Sequence, residues 1–192
     1  MSAQFLASSF CHKGIAPRGR SIKTAMAAEQ SQLPIPPRGT KGTDNPVAGL
    51  LMKALRPLAG RQIASYRKAT SPEPPKMMGF PTVLLTTVGA KTGAERTHVL
   101  GGFADGPDAW LVMASLGGSA RHPAWYVNLA KKPDQVWLEV GNRKLKVTPE
   151  LLEGERRAKA LAKIVSVAPR YGAYEKKTDR QIPILRLTSA AD

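Results

Sequence analysis

Cysteine is almost missing from this 192-residue chain: Cys11 stands alone, so neither an internal disulfide nor a cysteine-built zinc site can form. That suits a reducing compartment. Acidic residues are scarce too, 14 against 29 lysines and arginines, leaving a formal net charge of +15. Such a balance favours anionic partners, whether nucleic acid, anionic lipid or a multiply charged small molecule. Aromatics make up only 6% and no RNP-type motif occurs, so the nucleic-acid reading lacks its stacking platform and no nucleic-acid partner is expected. The three histidines, His12, His98 and His122, are not at metal-ligand spacing, and no metal is expected. A nucleophile elbow and a dinucleotide glycine fingerprint are both absent, so any redox chemistry must come from a bound cofactor. No apolar run reaches the roughly 18 residues of a spanning helix. The expectation is a soluble or peripheral chain in the cytoplasm, with contact at the inner face of the plasma membrane as one open alternative.

What is present is enough apolar residue, 42% of the chain, to bury a core, with 22% charged. Residues 1–25 hold four basic residues, several serines and no acid, which resembles an organelle transit peptide. Met26, opening MAAEQS, offers the alternative of a later start. Residues 27–45 are rich in Pro, Gly and polar side chains and read as a linker that cannot order itself by burial. Residues 1–45 are thus expected to form a disordered basic tail and linker. From Asn45-Pro46, a cap followed by a first-turn proline, Val47, Leu50, Leu51, Ala54, Leu55 and Leu58 recur at helical spacing. Residues 46–76 are expected to be an amphipathic helix and connector, its apolar stripe facing the core or, alternatively, a membrane surface. Strands then fit 82–87, 97–103, 109–115, 135–140, 143–148 and 182–187, and helices fit 122–132 and 153–168. Gly141-Asn142 marks a two-residue hairpin. About six strands joined mostly as hairpins predict an α+β fold, an antiparallel barrel or sandwich over 77–192 with flanking helices.

Three clusters could carry chemistry. VGAKTGAERT, residues 88–97, sets Lys91, Thr92 and Arg96 among glycines. Glycine-loop amides can cradle phosphate oxygens and the cations can add charge-assisted bonds, although a solvated basic hairpin explains the same residues. ASLGGSARHPAWYVNL, residues 114–129, ends a strand at Ser115, turns at Gly117-Gly118 and opens a helix at His122-Pro123. Converging N–H groups there favour an anion, and the plain alternative is a strand-to-helix connection with Trp125 in the core. Tyr171 and Tyr174, three apart in the third cluster, share one helical face, where they either meet a flat ligand or cover the barrel.

Together, LLTTVGAKTGAERTHVL, ASLGGSARHPAWYVNL and YGAYEKKTDRQIPILRL resemble the deazaflavin-dependent nitroreductase and quinone reductase family over roughly 80–188. The resemblance implies a split β-barrel that binds coenzyme F-420, an 8-hydroxy-5-deazaflavin, and passes its hydride to a quinone, nitroaromatic or enone. FMN is the alternative cofactor. It further implies that Lys91, Thr92 and Arg96 meet the phosphate and acidic tail, that Ser115, Gly117 and Gly118 lie near the coenzyme, and that Tyr171 and Tyr174 line the acceptor pocket. His122 and Trp125 join the expected coenzyme-binding set, and Tyr171, Tyr174 and Ser115 form the expected catalytic set. The chain departs from the family pattern at Ala90, Leu116 and Ala168, and Gly101-Gly102 stand where some members carry bulky aromatics, which predicts a more open pocket. A non-catalytic flavin or deazaflavin carrier and a basic nucleic-acid module are the rival functions.

Overall fold

The structure is a computed structural model that describes residues 32–44, 56–68, 70–77 and 79–190. The expected transit-like segment, the cap at Asn45 and the stripe from Val47 to Leu55 lie outside the described residues. Strands form where β-branched and apolar residues concentrate. They are β1 (Lys76–Met77), β2 (Phe80–Val88), β3 (Glu95–Gly101), β4 (Phe103–Ala104), β5 (Ala109–Met113), β6 (Val136–Val140), β7 (Arg143–Leu151) and β8 (Ile184–Ser189). They make one curled antiparallel sheet in the order β1-β2-β6-β7-β8-β5-β4, with β3 paired to β2. The six longer strands fall where the sequence predicts strands; β1 and β4, two residues each, carry too little pattern to be read.

The middle strands are buried on both faces, which is why β5 reads as an unbroken apolar run rather than an alternation. Its Trp110 and Val112 join Val83, Leu85, Leu138 and Leu187 in one core, closed by Trp125, Tyr126 and Leu129 of helix α2 (Ala124–Lys131). Its Leu111 and Met113 join Phe103, Ile164, Tyr171 and Ile184 in a second core on the opposite face. That core lies under α3 (Gly154–Val167) and α4 (Arg170–Glu175). Leucines 111, 138, 185 and 187 are at most 1% exposed, each stabilising the fold by about 1.5–3 kcal/mol. Gly141, at φ 58°, turns the hairpin between β6 and β7 with Val140 opposite Arg143.

Helix α1 (Arg56–Tyr66) is tied to the sheet at its C-terminal end. The Tyr66 hydroxyl lies 3.0 Å from Thr82 O and 3.1 Å from Glu139 O, and accepts the Gly141 N–H at 3.0 Å. Arg67 adds a bidentate pair to the Glu139 carboxylate, at 2.8 and 2.6 Å.

Residues 32–44 differ from the expected linker. Leu33 N donates to Ala130 O, Gly39 N to Ala120 O and Thr43 N to Gly118 O, and the buried Tyr126 hydroxyl donates to Pro34 O at 2.7 Å. The segment is a strap ordered by backbone and side-chain hydrogen bonds, not by an apolar stripe, so composition alone could not reveal it.

Candidate functional site

The loop between β2 and β3 is closed by its own amides. Gly89 N bonds Ala94 O and Gly93 N bonds Gly89 O, both at 2.9 Å, while Ala90 N donates to Asn128 Oδ1 at 3.1 Å. A Cβ at Gly89 would sit 2.6 Å from Thr92 Oγ1 and push that side chain aside, and Gly93 adopts φ 69°. The glycine N–H groups expected to cradle a phosphate are therefore spent on the turn. What the loop presents instead is side-chain charge: Lys91 and Arg96 are exposed. Lys91 makes no hydrogen bond or ion pair among the described residues, and the Arg96 guanidinium makes only a 3.4 Å contact to Glu95 O.

The turn after β5 passes through three residues with positive φ, Leu116 at 45°, Gly117 at 66° and Gly118 at 89°. Gly118 is further constrained because a Cβ would meet Lys177 Cβ at 2.8 Å and Tyr174 O at 3.0 Å. The buried Arg180 holds this turn from behind. Its guanidinium donates to Ser119 O at 2.8 Å, Ala114 O at 2.9 Å, Ser115 O at 3.1 Å and His122 Nδ1 at 3.3 Å. With Nδ1 accepting, His122 carries its proton on Nε2 and donates to Pro36 O at 2.8 Å. Burial, with Arg180 nearby, holds this imidazole below its ordinary pKa. Pro123 is extended and caps α2, so His122 lies just ahead of the helix rather than in it.

The anion that the converging donors of 117–123 favour is supplied by the protein. Asp44 accepts from Ser119 Oγ at 2.6 Å, Ala120 N at 2.9 Å and Arg121 Nε at 3.2 Å. The Ser119 hydroxyl, foremost among these donors, holds the Asp44 carboxyl below the usual range. Asp179 reciprocates from the barrel side, accepting from Thr40 N, Thr40 Oγ1 and Lys41 N. The turn is thus a strap anchor, and sequence reasoning missed Asp44, Asp179 and Arg180.

Between α1, β3, α4 and the turn lies a cleft of about 540 Å³ that brings together Ser115, Trp125, Tyr171 and Tyr174. Lys91, Thr92, Arg96, Gly117, Gly118 and His122 do not line it. Arg96 adjoins it through its neighbour Thr97, and Gly117 follows the lining residue Leu116. Tyr171 is 8% exposed, with edge-on contacts to Phe80, Phe103 and Tyr174 at centroid distances of 5.7, 5.4 and 5.4 Å. Burial, reinforced by Tyr174, pushes its phenol up to about 12, so it stays a neutral hydrogen-bond donor at physiological pH. Gly101 does not open the pocket as expected: the Tyr171 hydroxyl occupies the place of its missing side chain, and at Gly102 Val83 does the same. His98 and Thr82 also wall the cleft. Burial first, then the Arg96 charge, keep His98 below its ordinary pKa and neutral at pH 7. No sequence signal marked either residue.

A curled antiparallel sheet with flanking helices and an apolar cleft defines an α+β half-barrel with a binding cleft. Its sequence names the family: residues 59–189 match the family described as F420H(2)-dependent quinone reductase, and the chain belongs to that family. An F420H(2)-dependent quinone reductase of Mycobacterium tuberculosis is 42% identical over 111 residues, covering 56% of this chain and 73% of the relative. A solved F420-H2 dependent reductase, FDR-A, is 37% identical with a TM-score of 0.52, covering 56% of this chain and 93% of its own. A second solved chain, described as a domain-swapped dimer, is 30% identical with a TM-score of 0.53, over 74% of this chain and 99% of that one. The chain is accordingly an F-420-dependent reductase, with coenzyme F-420 as its cofactor.

Proposed function

We propose that this reductase delivers the hydride of reduced F-420 to a quinone, with nitroaromatics and enones as lesser acceptors. The observation that carries the reading is the lining of the cleft. Tyr171, Tyr174 and Ser115 set hydroxyls on it, and β3 leads away from Gly101 along the cleft wall to the exposed cations Arg96 and Lys91. Five residues of strand from Gly101 to Arg96 cover about 17 Å. That length suits a coenzyme with a flat head and an anionic tail.

The residues present fit the group. A cavity of about 540 Å³ is within the range that buries a ring system of this size, and Trp125, Phe80 and Tyr171 give it flat apolar walls. Lys91 and Arg96 would meet phosphate and carboxylates as charge-assisted partners, with Thr92 beside them. Bound reduced F-420 supplies a hydride which, with one proton from solvent, turns the quinone into a hydroquinone and leaves the coenzyme oxidised. The protein's part is to place the acceptor at short range, exclude water with α1 and α4, and donate hydrogen bonds to the acceptor oxygen as negative charge develops there. The phenols of Tyr171 and Tyr174 and the Ser115 hydroxyl take that last role.

The test is to mix protein with reduced F-420 and follow the visible absorbance of the oxidised form. Oxidation is expected only after menadione is added, and FMN is expected to bind more weakly. Lys91→Glu should weaken coenzyme binding at least tenfold, the effect of losing one charge-assisted contact and adding repulsion. Binding without menadione-dependent oxidation would instead mark a carrier. Unchanged affinity in the Lys91 variant would return the loop to a plain basic hairpin.

A further inference from the structure

Among the described residues that line the cleft, Arg170 alone carries a full charge, since His98 is neutral at pH 7 and no carboxylate contributes to the lining. It belongs to the Gly101 end of β3. Tyr171 Oη and Phe80 Cε2 crowd the place of the Gly101 side chain, and Phe80 carries Arg170 on its ring. Lys91 and Arg96 lie at the other end of the strand, so the cation beside the phenols is separate from those that would meet the coenzyme tail.

The Arg170 guanidinium carbon is 5.2 Å from the Phe80 ring centroid, a cation–π contact that holds an exposed side chain against the cleft wall. Phe80 in turn meets Tyr171 edge-on at 5.7 Å. Burial dominates the Tyr171 phenol, but the Arg170 charge acts on it in the opposite sense, so its field reaches that hydroxyl. A second cation stands on the second tyrosine: Lys177 Nζ is 5.8 Å from the Tyr174 ring centroid, and the side chain makes no hydrogen bond or ion pair among the described residues. The acids of the same stretch are engaged elsewhere, Glu175 by Arg157 and Asp179 by Thr40 and Lys41. Two cations on two aromatic rings thus give the acceptor end a positive field that a neutral quinone would not exploit.

Resting on the quinone-reductase reading, we propose that Arg170 is a specificity-determining residue that selects acceptors bearing an acidic group on the ring. Its guanidinium meets a carboxylate or sulfonate as a charge-assisted partner, while the tyrosine hydroxyls serve the quinone oxygens. Lys177 adds to the field without lining the cleft.

The test compares menadione with 1,4-naphthoquinone-2-sulfonate, which puts a sulfonate where menadione has a methyl group, in the wild type and in Arg170→Lys, Arg170→Gln and Arg170→Glu. For the sulfonate, KM should stay within about twofold in the lysine variant, rise roughly threefold to fivefold in the glutamine variant, the upper end for an exposed ion pair, and rise about tenfold on charge reversal. For menadione, KM should stay within about twofold throughout, with Kd for reduced F-420 and Tm unchanged. Quenching of tryptophan fluorescence by the sulfonate in coenzyme-free protein should weaken in the same graded order. A wild type that turns over menadione while the variants change both acceptors equally, or neither, overturns the role of Arg170 and leaves the reductase reading intact. A wild type that never oxidises the coenzyme with either acceptor overturns both.

Discussion

Gly101 acts through the side chain it does not have. The Tyr171 hydroxyl fills the space beside its Cα, with Phe80 Cε2 3.1 Å and Tyr171 Cζ 3.2 Å from the place of a Cβ. Gly101→Ala should overpack that wall and cost about 1–3 kcal/mol, seen as a lower Tm. Adding Tyr171→Phe to the same chain should recover most of the loss, because only the hydroxyl makes the severe clash. An alanine variant with unchanged Tm would show that Tyr171 shifts freely, and would weaken its assignment as a fixed donor. The same residues mark a limit of sequence reading. Glycine in a strand announces that something approaches closely, but not which atom. Leu116 is the opposite case, an exposed leucine at φ 45° and 52% exposure whose conformation is invisible in its letter.

The strap of residues 32–44 shows what one element adds to another. Its two carboxylate anchors have depressed folded-state pKa values, Asp179 down to about 2 through the Thr40 side chain above all, and Asp44 lowered chiefly by Ser119. A depressed carboxylate contributes stability that is complete above its unfolded value, near 3.8, and is lost as pH falls through the folded value. The strap should therefore hold at neutral pH and loosen between about pH 4 and pH 2. His122 acts in the same sense at higher pH, since its neutral form is favoured in the fold and stability declines as pH drops below about 6.5. Hydrogen exchange can separate the contributions: Asp179→Asn should speed exchange of the Thr40 and Lys41 amides at pH 7 while leaving the β2 and β6 ladders protected. Equal protection in the variant would mean the carboxylate is not what holds the strap.

For the molecule as a whole, chain beginning at residue 31 contains every described contact of the sheet, the strap and the cleft, so it should keep the Tm and coenzyme affinity of the full protein. A chain beginning at residue 45 loses the partners of Ser119, Ala120, His122 and Tyr126 together. It should melt several degrees lower, because each group left buried and unpaired costs about 1–3 kcal/mol; equal melting of the two would relegate the strap to decoration. The sequence by itself determined the six longer strands of the sheet, the Gly141-Asn142 hairpin, the helices 124–131 and 154–167 to within two residues, and the three motifs. Those signals are local: period-two and period-3.6 patterns and turn residues act within a few positions. Only tertiary structure decided which groups the motifs meet. Asp44 reaches Ser119 across 75 positions, Thr40 reaches Asp179 across 139, and Arg180 closes on a turn 61 to 66 residues away. No pattern in one chain encodes partners at such separations. The GGSARH turn thus reads as an open anion site until the fold brings its own carboxylate to it.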